Sequence, residues 1–119
     1  ELAQAALQEK RYEDAAEMFS RFGTTYPTSP LVAKAYLLRG KALEATQDYK
    51  ASARAYLESF STYPNSDVAP EALILLGKAL VSAGKLDAGC QTLLQVEIRF
   101  PDSSFAIDAQ EQIEILDCL

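Results

Sequence analysis

Histidine is absent from this chain of 119 residues, and cysteine occurs only twice. Because histidine is the commonest general base and metal ligand near neutral pH, its absence excludes Ser-His-Asp triads, Cys-His dyads and histidine-bound metals. Two cysteines cannot form a zinc site without other protein ligands. We therefore expect neither a metal nor another cofactor.

Basic residues and long apolar runs are also scarce. Eleven Lys and Arg residues against seventeen Asp and Glu residues give a formal net charge of −6, whereas nucleic-acid binding draws on clustered Lys and Arg. The most apolar run, residues 72–76, is far shorter than the roughly 20 residues that span a bilayer. We therefore expect no nucleic-acid partner and no direct membrane insertion.

Paired carboxylates remain as candidates for catalysis. Glu13 stands beside Asp14, and Glu111 stands three residues before Glu114. Each pair falls on a predicted solvent face without a glycine-rich loop or buried partner beside it, which is typical of a solvated acidic face. We therefore expect no catalytic residues and no enzyme activity.

The chain does contain a motif of aromatic, proline, polar residue and serine in three copies. Its copies begin at Tyr26-Pro27, Tyr63-Pro64 and Phe100-Pro101, which stand 37 residues apart. Other residues keep the same phase: Tyr12, Tyr49 and Leu86; Ala16, Ala53 and Cys90; Phe19, Tyr56 and Leu93; Ala35, Ala72 and Ala109; Gly40 and Gly77. One copy would indicate only a helix end, but three copies in register predict a structural repeat.

Each unit is predicted to hold two helices. Tyr49, Ala53, Tyr56 and Phe60 lie three or four residues apart, which is the spacing of one helix face. A break within the unit falls at residues 46–48 and 83–85, where Gly84 can adopt the left-handed conformation that ends a helix. The predicted helices are 1–9, 12–25, 30–45, 49–62, 68–83, 86–99 and 104–117.

The motif itself predicts a hinge between units. Proline cannot continue a helix, and the residue before it is driven out of the helical conformation. We expect the aromatic residue before each proline to pack on its own hairpin. The serine two residues after each proline, or a polar neighbour, is expected to cap the following helix: Ser29, Ser66 and Ser103.

These residues resemble the tetratricopeptide repeat, whose pattern is W-x2-L-G-x2-Y, then A-x3-F, then P. The corresponding residues are Tyr36, Arg39, Gly40, Leu43, Ser52, Tyr56 and Pro64 in the second unit, and Leu73, Leu76, Gly77, Leu80, Gly89, Leu93 and Pro101 in the third. Arg39 in a leucine place and the longer period depart from the pattern. The resemblance implies an all-α, right-handed superhelix of helical hairpins, with about three repeats and a C-terminal capping helix.

The expected organisation is a single domain over residues 1–119. The first repeat is expected at 1–29, with most of its opening helix before residue 1. The second repeat is expected at 30–66, the third at 67–103, and the capping helix at 104–119. Its outer face is acidic, which would keep the end of the stack soluble.

The resemblance also implies a binding surface, because the first helices of such hairpins line a concave wall that takes peptide segments of partner proteins. The residues expected on this wall are Gln4, Leu7, Lys34, Leu37, Lys41, Glu44, Glu71, Ile74, Lys78 and Glu111. Lys41 and Lys78 hold the same place in successive repeats and could present two ammonium groups to a partner carboxylate. The alternative for both lysines is a solvated helix face.

A narrower resemblance covers nearly the full chain. The segments YEDAAEMFSRFGTTYPTSP, APEALILLGKAL and LDAGCQTLLQVEIRFPDSSFAIDAQ are similar to the C-terminal tetratricopeptide domain of the Tol-Pal-associated YbgF/CpoB family. This resemblance implies a Gram-negative periplasmic protein that binds TolA and links peptidoglycan synthesis machinery to outer-membrane constriction at cell division. The fragment would be monomeric, and its parent could oligomerise through an upstream coiled coil. The alternative is an adaptor similar to the outer-membrane assembly lipoprotein BamD, which also has such hinges.

Cys90 and Cys118 leave two interpretations open. A disulfide would attach the capping helix to the last repeat, contribute about 3 to 4 kcal/mol, and persist in a periplasm. In a hairpin that turns near residue 102, however, Cys90 faces roughly residue 113. Cys118 therefore overshoots its partner unless the chain folds back, and otherwise both residues are free thiols.

Overall fold

The computed structural model describes residues 2–118, which form helices and turns and contain no strand. The seven helices are α1 (Leu2–Gln8), α2 (Tyr12–Thr25), α3 (Val32–Ala45), α4 (Tyr49–Thr62), α5 (Ala69–Ser82), α6 (Leu86–Arg99) and α7 (Ser104–Leu116). Their ends lie within two residues of the boundaries predicted from sequence. Within this described range, no helix is both long and apolar enough to cross a membrane.

The helices stack as consecutive hairpins. Each helix packs against the next in the chain, and in addition α3 contacts α5 and α5 contacts α7. The first helices of successive hairpins therefore lie side by side, and α7 covers the end of the last hairpin. The molecule measures 42 × 27 × 19 Å, and the predicted all-α superhelix of tetratricopeptide type is confirmed.

The turns within the hairpins repeat with the same period as the sequence. Lys10, Gln47 and Gly84 have φ values of 63°, 66° and 86°, so each adopts the left-handed conformation. The next residue then donates its N–H to the carbonyl five residues earlier: Arg11 to Ala6, Asp48 to Leu43 and Lys85 to Leu80, at 2.8 to 3.1 Å. Two of the three positions carry no glycine, which is why only Gly84 gave a sequence signal.

The serines of the hinges do not all act as predicted. Ser103 is the N-cap of α7, where its hydroxyl accepts a hydrogen bond from Phe105 N at 3.1 Å. Ser29 accepts instead from Leu31 N, and α3 begins only at Val32. The Ser66 hydroxyl has no hydrogen-bond partner in the described residues. Before α3 and α5 an extra turn follows the serine, so the capping prediction is right for Ser103 alone.

The hinge aromatics connect neighbouring repeats more than the sequence suggested. Tyr26 packs on Phe22 of its own hairpin, with ring centroids 5.2 Å apart. Tyr63, in contrast, donates its hydroxyl to the carbonyl of Pro27 in the preceding hinge at 2.9 Å. Phe100 packs edge-on against an aromatic ring of α4 in the preceding repeat. Tyr63 and Phe100 therefore also contact the preceding repeat, which the sequence did not predict.

Glycine allows the two helices of a hairpin to approach closely. Gly40 on α3 lies against the ring of Tyr56 on α4, and a Cβ on Gly77 of α5 would stand 2.9 Å from Leu93 of α6. Tyr56 and Leu93 are both 0% exposed. The small and large residues that recur in the sequence are therefore contact partners, and they place the core along the middle of each hairpin.

The C-terminal helix is held by packing and by a disulfide. Ala106, Ala109 and Ile113 on its inner face are buried. After α7 the chain reverses at Asp117, whose φ is 55°, and Cys118 N–H donates to the Ile113 carbonyl at 3.1 Å. This reversal brings Cys118 back towards Ile113, so it does not extend past Cys90 as a straight helix would. Cys118 forms a disulfide with Cys90 on α6.

Candidate partner-binding surface

Two of the residues expected on the concave wall lie in the core. Leu37 is 3% exposed and Ile74 is 1% exposed, and both belong to the main cluster of buried residues. They cannot contact a partner directly, so their assignment to the binding surface is corrected. The cause is the close stacking of α3, α5 and α7, which buries the apolar positions between adjacent first helices.

The two lysines expected to meet a partner carboxylate are already paired inside the chain. Lys41 Nζ lies 2.8 Å from Glu71 Oε2, and Lys78 Nζ lies 2.9 Å from Asp108 Oδ2. The first pair joins α3 to α5, and the second pair joins α5 to α7. The two pairs stand one period apart in the sequence. These two bridges form an ion-pair ladder, so neither lysine presents a free ammonium group as predicted.

Glu44 is held within its own hairpin. Its Oε1 accepts a hydrogen bond from the Tyr56 hydroxyl at 2.7 Å. Burial raises the pKa of Tyr56, and the hydrogen bond to Glu44 acts in the same direction. One period earlier the corresponding residues are Leu7 and Phe19, which belong to the core of the first repeat. A polar pair thus replaces an apolar pair, and Glu44 has a structural partner.

The other predicted residues remain accessible. Gln4, Lys34 and Glu111 are exposed, and Leu7 is half-buried against α2. Glu111 is exposed on α7, the last helix of the stack. Of these four residues, Gln4 and Lys34 lie together, at the start of the stack.

Gln4 and Lys34 border an apolar groove of about 760 Å³, called here the first-repeat groove. It lies between the start of α1, the second half of α2 and the first half of α3. Its apolar lining consists of Leu2, Ala3, Met18, Phe19, Phe22, Tyr26, Leu31, Ala35 and Leu38, and its polar lining of Gln4, Arg21, Thr25 and Lys34.

The equivalent space in the second repeat is filled by helix. There the first half of α3 packs on α4, and Ser59 donates its hydroxyl to the Ala33 carbonyl at 2.7 Å. One period earlier, Phe22 stands in the place of Ser59 and lines the groove. The residues one period before the first half of α3 lie outside the described residues, and the groove is the surface of α2 and α3 that borders that place.

The charge of the groove is opposite to that of the chain. Arg21 and Lys34 line it, and no Asp or Glu is among its lining residues within the described range, whereas the whole chain has a net charge of −6. Arg21 also forms an exposed ion pair with Glu17 at 3.0 Å, which is a weak interaction in solvent. The groove therefore combines an apolar floor with a cationic edge.

Sequence reasoning missed the residues that α2 contributes to this surface. No residue of α2 was expected on a partner surface, because the resemblance places partner contacts on the first helix of each hairpin. A signal was present, since the bulky Phe22 occurs where the second repeat has the small Ser59. Within residues 2–118, no group of three or more acidic, histidine or cysteine side chains could hold a metal.

The sequence matches the family model YfiO, described as an outer membrane lipoprotein, over residues 1–118. No curated protein matches the sequence. The matched family is of the tetratricopeptide type and consists of protein-interaction modules of the cell envelope. The match therefore covers every helix described above, including both the ion-pair ladder and the first-repeat groove.

Proposed function

Because this chain belongs to the YfiO family of outer membrane lipoproteins, we propose that it is an adaptor that holds partner proteins of outer-membrane assembly. The observation that carries this proposal is the family match over nearly the whole chain. It favours the BamD-like alternative, one of the two envelope adaptors that the hinges resemble. The partner is a protein of the cell envelope.

The geometry suits an adaptor. The ion-pair ladder and the hinge contacts join each repeat to the next, so the stack is a continuous framework rather than a set of loose hairpins. Such a framework presents a fixed surface, which lowers the ordering cost of binding. The Cys90–Cys118 disulfide supports a location in the periplasm, since disulfides persist there and are rare in the cytosol.

The proposal is tested by calorimetry with the purified oxidised chain. It is titrated with periplasmic domains of the outer-membrane assembly machinery and, in parallel, with the periplasmic segments of TolA. We expect saturable binding of an assembly domain at micromolar concentration. Absence of binding to every assembly domain would refute this function.

A second candidate is the Tol-Pal role. The three aromatic-proline hinges and the sequence of the capping helix support it, because they are similar to the YbgF/CpoB family. In that role the chain binds TolA and connects peptidoglycan synthesis machinery with outer-membrane constriction. Binding of TolA without binding of an assembly domain would favour this candidate over the first.

A further inference from the structure

We infer that the stack opens inside its second hairpin, between α3 and α4, before the rest of the protein unfolds. In this opening α1, α2 and α3 act as one unit and α4 to α7 as the other. The division crosses a repeat, whereas the sequence period would place it at a hinge such as Tyr63-Pro64. The closed structure is the ground state, and the opening is a fluctuation of lower free energy than complete unfolding.

Polar residues are concentrated in the helices of the second hairpin. At four positions of the repeat the second unit is polar and both other units are apolar or glycine: Arg39 against Leu2 and Leu76, Glu44 against Leu7 and Val81, Ser52 against Ala15 and Gly89, and Ser59 against Phe22 and Val96. The four polar residues lie in α3 and α4, which have fourteen residues each, as α5 and α6 do.

Three of these polar residues make contacts across the second hairpin. The Tyr56 hydroxyl donates to Glu44 Oε1, and the Ser59 hydroxyl donates to a backbone carbonyl of α3, each at 2.7 Å. Arg39 Nη1 on α3 lies 4.0 Å from Glu58 Oε1 on α4. The two helices are therefore joined to a large extent by hydrogen bonds and an ion pair.

Water can replace such contacts when the two helices separate. A hydrogen bond between protein groups is then exchanged for hydrogen bonds to water, so its net contribution to stability is small. The buried hydroxyl of Ser52, which has no partner within the described residues, gains one on opening. In the third hairpin the same separation would bring Leu93 and Val96, both 0% exposed, into water. Opening the second hairpin therefore costs less free energy than opening the third.

The apolar core is divided at the same place. One cluster of buried residues joins α1 and α2 to α3 through Ala35 and Ala42. The second cluster runs from α4 to α7 and includes Tyr56, and its buried member from α3 is Leu37. The apolar packing of α3 is therefore shared mainly with α2, although α4 is its partner in the hairpin.

The concave wall spans both units, since α3 belongs to the first and α5 to the second. Across it Lys41 and Glu71 form an ion pair in which the side chains are 41% and 29% exposed. Such pairs hold helices together only weakly in solvent. The distance between α3 and α5 can therefore change, and a protein partner that contacts both helices would stabilise the closed state.

Native-state amide hydrogen exchange, followed by NMR in low concentrations of urea, tests the division. We expect the amides of α3 to exchange with the same urea dependence as those of α2. They should exchange at least about tenfold faster than the amides of α4 to α6. If α3 shared the exchange rate and the urea dependence of α4, the inference would be wrong.

Val96→Ala is the decisive variant, because it weakens the second unit alone. Val96 is buried on α6 and belongs to the second cluster. The variant should speed exchange in α4 to α6 about tenfold and change exchange in α2 and α3 by less than about twofold. The matched change Phe19→Leu in the first cluster should speed exchange in all these helices, because the second unit unfolds only after the first has separated. Acceleration of α3 by Val96→Ala would overturn the division.

Ser59→Ala tests the polar contacts themselves. It removes the hydrogen bond to α3 and should speed exchange in α3 about fivefold. Ser61→Ala makes the same change at an exposed position of α4 and should leave exchange unchanged. Equal effects of the two variants would refute a role for the contact of Ser59 in holding the hairpin closed.

Discussion

Removal of the Cys90–Cys118 disulfide should destabilise the capping helix first. The two residues are 28 positions apart, and closing a loop of this length in the unfolded chain corresponds to about 3.5 kcal/mol by the chain-entropy relation. For a domain of this size, that loss corresponds to a decrease in Tm of roughly 10 to 15 °C. Alanine is the appropriate replacement for Cys90, since Ala16 and Ala53 hold the same place in the other repeats.

The assay is thermal unfolding by circular dichroism, with and without dithiothreitol. The wild-type chain should melt at a lower temperature when dithiothreitol is present. The Cys90→Ala, Cys118→Ala double variant should melt at that same lower temperature with and without dithiothreitol. Each single variant should match the double variant. If oxidised and reduced wild-type protein melted within about 2 °C of each other, the loop-entropy reasoning would be wrong.

Amide hydrogen exchange shows which helices lose stability when the disulfide is removed. Each repeat of a stacked protein contacts mainly its neighbours, so the loss should be concentrated near α7. A loss of about 3.5 kcal/mol corresponds to exchange on the order of a hundredfold faster or more. Uniform acceleration across α2 and α3 as well would contradict this localisation.

Four further substitutions test the packing, the turns and the buried tyrosine. Gly77→Leu should lower the free energy of unfolding by on the order of 1 to 3 kcal/mol in urea denaturation, because α5 and α6 must separate; an unchanged midpoint would refute the contact. Gln47 and Gly84 both adopt the left-handed backbone conformation, which glycine adopts more easily than other residues. Gln47→Gly should therefore stabilise the protein by roughly 0.5 to 1 kcal/mol. Gly84→Ala should destabilise it by about 1 kcal/mol through backbone strain alone, since a Cβ at Gly84 meets no atom within 4 Å. Burial raises the pKa of Tyr56 in the folded state above its ordinary value, so its contribution to stability is present below about pH 10 and is lost as pH rises above that value. Tyr56→Phe should therefore reduce the loss of Tm measured between neutral and alkaline pH, and an identical loss in both proteins would exclude this cause.

The repeat and the helix boundaries could be predicted from the sequence because local interactions determine them. Pro27 and Pro64 prevent a helix from continuing whatever surrounds them, and the alignment of Gly40 with Gly77 identified the close contacts of both hairpins. The burial of Leu37 could not be predicted in this way, because its position on α3 has an accessible side in an isolated hairpin. Only stacking against α5 removes that side from solvent.

Two lysines of α3 also show that local sequence does not determine which residues meet in the folded chain. Lys34 and Lys41 look alike in the sequence, as exposed lysines on one amphipathic helix. Their roles differ because Lys41 meets Glu71 of the next repeat, whereas Lys34 lines a groove beside Phe22. Such differences depend on which helices lie side by side, and no local signal reports that.

The period, the two helices of each repeat, the small and large contact residues and the resemblance to envelope adaptors could all be read from the sequence. Those features arise from backbone preferences and from contacts within one hairpin. The ion pairs of Lys41 and Lys78, and the reversal at Asp117 that joins Cys90 with Cys118, became visible only in the stacked structure. Each of these depends on residues that are distant in the chain and meet only when the hairpins stack.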